Sequence, residues 1–160
     1  MVLLNNSRKI INTLHILEDI IVSLILMIMM LFSFYQIIMR NFFDSGFIWG
    51  DSFLRILVLW LGLVGAILAS RKGKQLSIDV LSQFIPYPYK SYIKTINLLF
   101  AAIICFIISY YSCLFVYLEY EDATVAFENV PAWVTEVIIP VGFLIMGLKY
   151  TAQIVNENIE

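Results

Sequence analysis

Two oppositely charged residues, Asp51 and Arg55, lie four positions apart in this sequence. On a helix this spacing puts both side chains on one face, where they can form an ion pair. A third charge, Glu136, lies in another hydrophobic stretch near the C-terminal end. A carboxylate inside a membrane can carry protons. Small proton-coupled transporters typically hold their acid in the first span, so we interpret Glu136 as a structural residue.

Other arrangements that support catalysis are missing from the sequence. His15 is the single histidine and is more typical of an interfacial polar residue than of a metal ligand. Cys105 and Cys113 would lie about 12 Å apart on one helix, too far for a disulfide. No phosphate-binding glycine loop, metal-ligand cluster or basic patch with interleaved aromatics occurs. We therefore expect no enzyme activity, no cofactor, no metal and no nucleic acid partner.

The composition indicates a membrane protein. Of the 160 residues, 61% are hydrophobic and only 14% are charged, against about 25% charged in a typical soluble domain. A chain of this length cannot bury so much apolar surface in its own core. The apolar run 20–39 is too long for a signal peptide, and Glu18 and Asp19 precede it. The sequence thus predicts an all-α integral membrane protein.

Four hydrophobic stretches are long enough for membrane-spanning helices. We expect them at approximately 18–40, 51–70, 95–118 and 132–152, within a single four-helix domain that comprises residues 1–160. Only 15 residues separate Arg55 from Arg71, about 22 Å of helix. The second span must therefore begin near Asp51, which puts Arg55 inside the membrane. Trp49 precedes it at the depth where aromatic rings collect.

The fourth span follows the same length argument. Only 12 residues separate Glu136 from the next charge, about 18 Å of helix. Glu136 is therefore also expected inside the membrane boundary, with Trp133 at the interface. Asn129 is a candidate N-cap residue with Pro131 in the first turn. Pro140 is expected to kink or loosen the helix one turn deeper.

Small residues recur at intervals of four in the second span, in the overlapping pairs Gly62/Ala66 and Gly65/Ala69. This spacing lets another membrane helix approach closely, although glycine and alanine are common in membrane helices in any case. Near the end of the first span, Gln36 can bond to a neighbouring helix or satisfy its amide locally.

The segment between the second and third spans is predicted to lie in the membrane interface. Residues 76–85 place their apolar side chains on one face, as in an amphipathic helix. Four spans put both termini and the loop 71–94 on one side, and that side holds eight of the ten basic residues. The positive-inside rule then makes both termini cytoplasmic.

Arg55 and Glu136 are both expected near the outer face of the membrane. We hypothesise that they meet across the second and fourth spans. In one alternative, each side chain reaches outward to water alone. In another, Asp51 is the local partner of Arg55. Glu136, in the first turns of its helix, also gains from the helix dipole without any partner.

A set of short motifs runs in order through nearly the whole chain. Arg40-Asn41 closes the first span, and Trp49 with Leu54-Arg55 opens the second. Further along come LWLG at 59–62, GA at 65–66, RKG at 71–73, LSIDVL at 76–81, PAW at 131–133 and IPVGF at 139–143. In this order the motifs resemble the small membrane subunit (DctQ-like or SiaQ-like) of tripartite ATP-independent periplasmic (TRAP) transporters.

The sequence departs from the family pattern at two positions. Asp51 is a single acid where the family often has two adjacent acids, and Gln75 stands where a histidine often follows the basic cluster. These positions cannot carry a role that requires a second carboxylate or an imidazole.

The resemblance implies a multi-pass subunit of a bacterial inner membrane. Such a subunit works with a large permease subunit and a periplasmic substrate-binding protein, and it contacts membrane lipid. Uptake in the family is driven by a sodium gradient, and the substrates are organic acids such as dicarboxylates or sialic acid. The large subunit carries the substrate and ion sites, and the small subunit is expected to brace the scaffold.

The expected contact residues follow from this assignment. The candidates for structural or partner contacts are Trp49, Asp51, Arg55, Gly62, Gly65, Ala66, Ala69, Trp133, Glu136 and Pro140. In the outer loops, Asp44, Glu121 and Asp122 either dock the binding protein or form a merely solvated acidic face. Two other functions are weighed: a membrane anchor of a redox enzyme, which would need more histidines, and a self-sufficient oligomeric small transporter.

Overall fold

The computed structural model describes residues 2–43, 46–70 and 87–157. These residues form five helices: α1 (Val2–Phe42), α2 (Gly50–Ser70), α3 (Tyr87–Glu121), α4 (Ala132–Glu136) and α5 (Ile138–Glu157). Two short strands, β1 (Val125–Phe127) and β2 (Val130–Pro131), pair with each other and separate α3 from α4 along the chain.

The prediction of four helices that are long and apolar enough to cross a membrane is confirmed. In the described part of the chain, four segments are long and apolar enough to cross a membrane: Ile16–Phe42, Gly50–Ser70, Tyr92–Glu121 and Ala132–Val155. The first and third helices extend beyond the predicted spans 18–40 and 95–118, because helical hydrogen bonding continues where the apolar stretch has already ended. The predicted amphipathic helix 76–85 lies outside the described residues. The single domain and the cytoplasmic termini stay predictions.

The fourth span begins differently from the expectation. Pro131, not Asn129, is the N-cap residue, and it has extended backbone angles, φ −62° and ψ 139°. Proline fits this position because its ring fixes φ near −65° and the residue still belongs to β2. The N–H of Ala132 then donates to the carbonyl of Thr124 at 2.9 Å. The helix start is therefore secured by backbone pairing and not by an asparagine side chain.

The fourth span is interrupted at Val137, between α4 and α5. Pro140 lacks an N–H, and its ring crowds the carbonyl of the residue four positions earlier, which is Glu136. The interruption lies one turn before Pro140, where this effect acts. The N–H groups of Val137 and Val141 still donate to the carbonyls of Trp133 and Val137, at 3.0 and 3.4 Å.

The short sheet in the third loop was not predicted, because its acidic flanks are typical of a solvated loop. Glu128 lies in its turn with φ 45°, in the left-handed region that non-glycine residues seldom adopt. This conformation belongs to the turn that reverses the chain between β1 and β2.

The described residues fall into two compact units. The first contains α1, α2 as far as Leu68, and the segment Val125–Val130. The second contains α3, α4 and α5. In the second unit α3 packs against α5 through a buried face with a spacing of three and four, formed by Leu98, Ala102, Cys105 and Ser109.

Small groups keep α3 and α5 close together. A Cβ atom built on Gly147 would lie 3.1 Å from the ring of Phe106, closer than most real Cβ contacts, so a larger residue here would push the ring back by a few tenths of an ångström. On the same pair of helices, the hydroxyl of Ser109 donates to the carbonyl of Pro140 at 2.9 Å. The carbonyl of Pro140 is thus bonded across to α3, which fixes the two helices in register.

Candidate functional site

A polar contact joins α1 to α2 in the first unit. The side-chain amide of Gln36 donates to Oδ1 of Asp51 at 3.2 Å. Gln36 is only 5% exposed, although it lies in a membrane-spanning helix. The second carboxylate oxygen of Asp51 lies 4.0 Å from Nη1 of Arg40. Arg40 and Asp51 are both about two-thirds exposed, so the ion pair adds little beside the partly buried hydrogen bond from Gln36.

Gly50 makes room for this contact. A Cβ at Gly50 would lie 2.6 Å from Nε2 of Gln36, closer than real carbon atoms come. A side chain at the first residue of α2 would therefore displace the Gln36 amide from its position beside Asp51. We call Gln36, Arg40, Gly50 and Asp51 the α1–α2 clamp.

An aromatic cluster lies beside the clamp, and Trp49 is at its centre. The Trp49 ring stacks on Phe127 at 5.8 Å and lies 5.7 Å from Phe32 and 5.9 Å from Phe53. Phe47 contacts Trp49 at 5.1 Å. Aromatic pairs at these distances are attractive beyond the area that they bury. The cluster thus holds β1 against the start of α2 and the end of α1, all within the first unit.

The loop before α2 and the β1–β2 turn form an open groove of about 550 Å³. Its lining residues are Gly46, Phe47, Ile48, Trp49, Ser52, Ala126, Phe127 and Glu128. Ile48 is 98% exposed, and Glu128 contributes a carboxylate. The groove can accommodate an apolar side chain of a partner, with an acidic group beside it.

The structure does not pair Asp51 with Arg55. Asp51 contacts Gln36 and Arg40 instead, and the Arg55 side chain is exposed. Spacing along one helix made Arg55 an alternative partner, but side chains of α1 contact the carboxylate instead. The alternative in which Asp51 is the local partner of Arg55 is therefore wrong.

Gly62 and Gly65 of α2 face open space. A Cβ built on Gly62 or Gly65 would meet no atom within 4 Å. Ala66 is half-buried and Ala69 is exposed. The two glycines are therefore not needed for packing within the described part of this chain, and their use for a partner helix stays a prediction.

In the second unit, Glu136 ends α4 and is half-buried. In the described part of the chain, its Oε2 atom is buried and has no hydrogen-bond partner. Trp133 packs edge-on against Tyr120 at 5.8 Å, and Pro140 receives the Ser109 hydrogen bond. Because Arg55 belongs to the first unit and Glu136 to the second, their proposed ion pair stays a prediction.

The acidic residues of the third loop are solvent-accessible. Glu121 and Asp122 are both exposed, and the Tyr117 hydroxyl donates to Oε1 of Glu121 at 2.7 Å. Two residues after Asp122, the Thr124 hydroxyl donates to the carboxylate of Glu119, which lies near the end of α3. Asp44, the third predicted docking residue, lies outside the described residues. Docking of a binding protein to these acids stays a prediction.

Several contributing residues were not singled out by sequence reasoning. Phe32, Phe53 and Phe127 were not distinguished from other apolar residues, and Ser109 was not distinguished from other small polar ones. Gln36 was recognised as a polar residue within a span, but the sequence could not give its partner. A buried polar residue in a membrane helix is the signal that points to such a contact.

Comparisons with known proteins agree with this architecture. Residues 29–158 match the family model for the DctQ component of tripartite ATP-independent periplasmic transporters. The ectoine TRAP transporter small permease protein TeaB of Halomonas elongata is 24% identical over 135 residues, which cover 84% of this chain and 70% of that protein. A chain of Haemophilus influenzae that bears the name of a TRAP transporter small permease protein is 30% identical over 92 residues, 58% of this chain and 56% of that one.

A much longer relative also matches. The sialic acid TRAP transporter permease protein SiaT of Haemophilus influenzae is 23% identical over 130 residues. The match covers 76% of this chain but only 20% of that protein. The similarity therefore concerns one part of a larger permease.

Proposed function

The chain belongs to the DctQ component family of tripartite ATP-independent periplasmic transporters, and we propose from this premise that it is the small permease subunit of a sodium-driven, binding-protein-dependent transporter for organic acids. Members of this family are transporter components and not enzymes. The observation that carries the proposal is the family match over residues 29–158, which includes all four membrane-spanning helices in whole or in part.

We propose that the subunit braces the scaffold of the transporter. Each unit is held by specific contacts between helices: Gln36 with Asp51 in the first, and Ser109 with Pro140 in the second. Gly147 adds a close approach to Phe106. Hydrogen bonds and tight packing are what hold membrane helices in one arrangement, since lipid is as apolar as their side chains. A subunit built in this way suits a static support for a moving partner.

The partners in this proposal are a large permease subunit and a periplasmic substrate-binding protein. The match to one fifth of a longer permease protein supports the first partner, since there a similar segment is part of a larger permease chain. The open groove and the acids Glu121 and Asp122 supply an outer surface that suits the second partner. We place the subunit in the bacterial inner membrane with both termini on the cytoplasmic side, because most of the basic residues lie on that side.

The substrate class rests on the relatives and on the family resemblance. The names of two relatives specify sialic acid and ectoine, and both compounds carry a carboxylate. An organic acid is therefore the proposed cargo of the transporter to which this chain belongs. Its binding site is expected in the large subunit and in the binding protein, and the sodium sites in the large subunit.

Uptake by cells tests this function. Cells that express the complete transporter are compared with cells that lack only this chain, with radiolabelled sialic acid, ectoine and C4-dicarboxylates as substrates. We expect uptake of an organic acid that stops without the chain, returns on complementation and falls to background when potassium replaces sodium. Uptake that persists without this chain would contradict its role as a required subunit, and uptake that is indifferent to sodium would contradict the driving ion.

A further inference from the structure

Two neighbouring tyrosines, Tyr110 and Tyr111, lie on the outer surface of α3 with their side chains 63% and 65% exposed. Their rings meet edge-on at 5.6 Å. The opposite face of α3, with Ala102, Cys105 and Ser109, is buried against α5. The tyrosines therefore point away from the packing of their own unit.

The depth of the two hydroxyl groups is unusual for tyrosine. The charged residues Lys94 and Glu119 bound the apolar part of α3, and Tyr110 lies only about 5 Å beyond the midpoint between them at 1.5 Å per residue. Tyrosine is enriched at the membrane interface, where its hydroxyl meets water. A hydroxyl that faces hydrocarbon chains near the membrane centre has no hydrogen-bonding group to meet.

Among the described residues, another tyrosine on α3, Tyr117, has a hydrogen-bond partner for its hydroxyl, unlike Tyr110 and Tyr111. The Tyr117 hydroxyl donates a hydrogen bond to Glu121, four residues later on the same helix. The residues four positions after Tyr110 and Tyr111 are Leu114 and Phe115, which have no polar side-chain atom. In the part of the chain that the structure describes, the Tyr110 and Tyr111 hydroxyls have no hydrogen-bond partner.

We infer that the face of α3 that carries Tyr110 and Tyr111 binds the large permease subunit, which supplies polar groups for both hydroxyls inside the membrane. The inference rests on the proposed function. Exposed apolar residues continue the same face at helical spacing, namely Ile103, Ile107 and Leu114, so a partner helix can follow it. The large subunit is favoured as occupant because a similar segment is part of a much longer permease chain in the sialic acid relative.

The test uses the full chain bound to the large subunit of the same transporter. The variant Tyr110→Phe/Tyr111→Phe removes two hydroxyl groups and keeps both rings. The matched control, Tyr92→Phe, removes the hydroxyl of another exposed tyrosine, near Lys94 at the other end of the span. Affinity between the subunits is measured in lipid nanodiscs. We expect each single substitution to weaken binding about threefold and the pair about tenfold, with the control unchanged.

Two other occupants of this face, lipid and a second copy of the chain, give different results. If this face meets lipid, the double variant binds the large subunit as tightly as the original chain, and a photoreactive amino acid at position 110 cross-links to lipid. If a second copy covers it, the cross-link joins two copies of this chain. Either result overturns the inference while the original chain still binds the large subunit. Failure of the original chain to bind at all would instead count against the proposed function.

Discussion

The amide of Gln36 on α1 donates a hydrogen bond to the carboxylate of Asp51 at the start of α2, 3.2 Å away. Asp51 is charged and largely exposed, whereas Gln36 is buried. The bond therefore anchors a buried polar group of one membrane helix to the end of the next. Together with the stacking of Trp49 on Phe127, it holds the end of α1 and the start of α2 together in the first unit.

An exchange of donor and acceptor tests this contact. Gln36→Glu at pH 8 puts two carboxyl groups together, so they either repel each other or one must hold a proton. We expect the free energy of unfolding in detergent to fall by about 1 kcal/mol. Adding Asp51→Asn returns one donor and one acceptor and should recover most of the loss. A single variant as stable as the original chain, or a double variant that recovers nothing, would contradict the clamp.

A second prediction compares two glycines on the same helix. Gly50→Ala forces the Gln36 amide away from Asp51, because the new carbon would lie 2.6 Å from Nε2. The stability should fall by about 1 kcal/mol, the value of the lost hydrogen bond. Gly62→Ala meets open space and should leave the stability of the isolated chain unchanged or up to about 1 kcal/mol higher, since alanine favours helix. Equal effects in a chemical denaturation series would rule out the steric account.

These contacts mark the limit of what the sequence predicts. The four spans follow from hydrophobic length and from the positions of charges such as Arg55 and Arg71, both of which are local properties. The partner of Asp51 depends on which side chain of α1 arrives opposite α2, which spacing along one helix cannot give. The four-residue rule offered Arg55 as an alternative partner, but Gln36 and Arg40 contact the carboxylate.

The third loop illustrates the same limit. Its acids are typical of a solvated connection, and the strands β1 and β2 are only three and two residues long. Phe127 becomes part of the aromatic cluster because β1 packs against Trp49, a contact between residues far apart in the sequence. In contrast, the interruption near Pro140 was predictable, since a proline acts on the turn that precedes it.

The proposed ion pair between Arg55 and Glu136 gives a third prediction. Arg55→Glu or Glu136→Arg alone should lower the amount of assembled transporter about tenfold or more, because a charge inside the membrane then faces a like charge. The two substitutions together should restore assembly. Combining Arg55→Glu with Asp122→Arg is the control, since that cation lies after the end of α3, and it should not restore assembly. Quantitative co-purification of the large subunit is the measurement. A double variant that does not restore assembly would contradict the ion pair between Arg55 and Glu136.

The exposed acids give a fourth prediction. Replacing Asp44, Glu121 and Asp122 by their amides should weaken binding of the substrate-binding protein about tenfold and flatten its dependence on salt, since surface charges act mainly at long range. The control replaces Glu18 and Asp19 by their amides, because the predicted orientation puts those acids on the cytoplasmic side. Surface plasmon resonance at several salt concentrations measures the effect. Unchanged affinity would reduce the acids to a solvated face.

Reconstitution of purified components tests the central claim that this chain is a supporting subunit. Proteoliposomes receive this chain alone, the large permease subunit alone, or both. The binding protein and labelled substrate are added outside, and an inward sodium gradient is imposed. We expect no uptake by this chain alone and sodium-dependent uptake when both subunits are present. Uptake by proteoliposomes that contain this chain without the large subunit would contradict this claim.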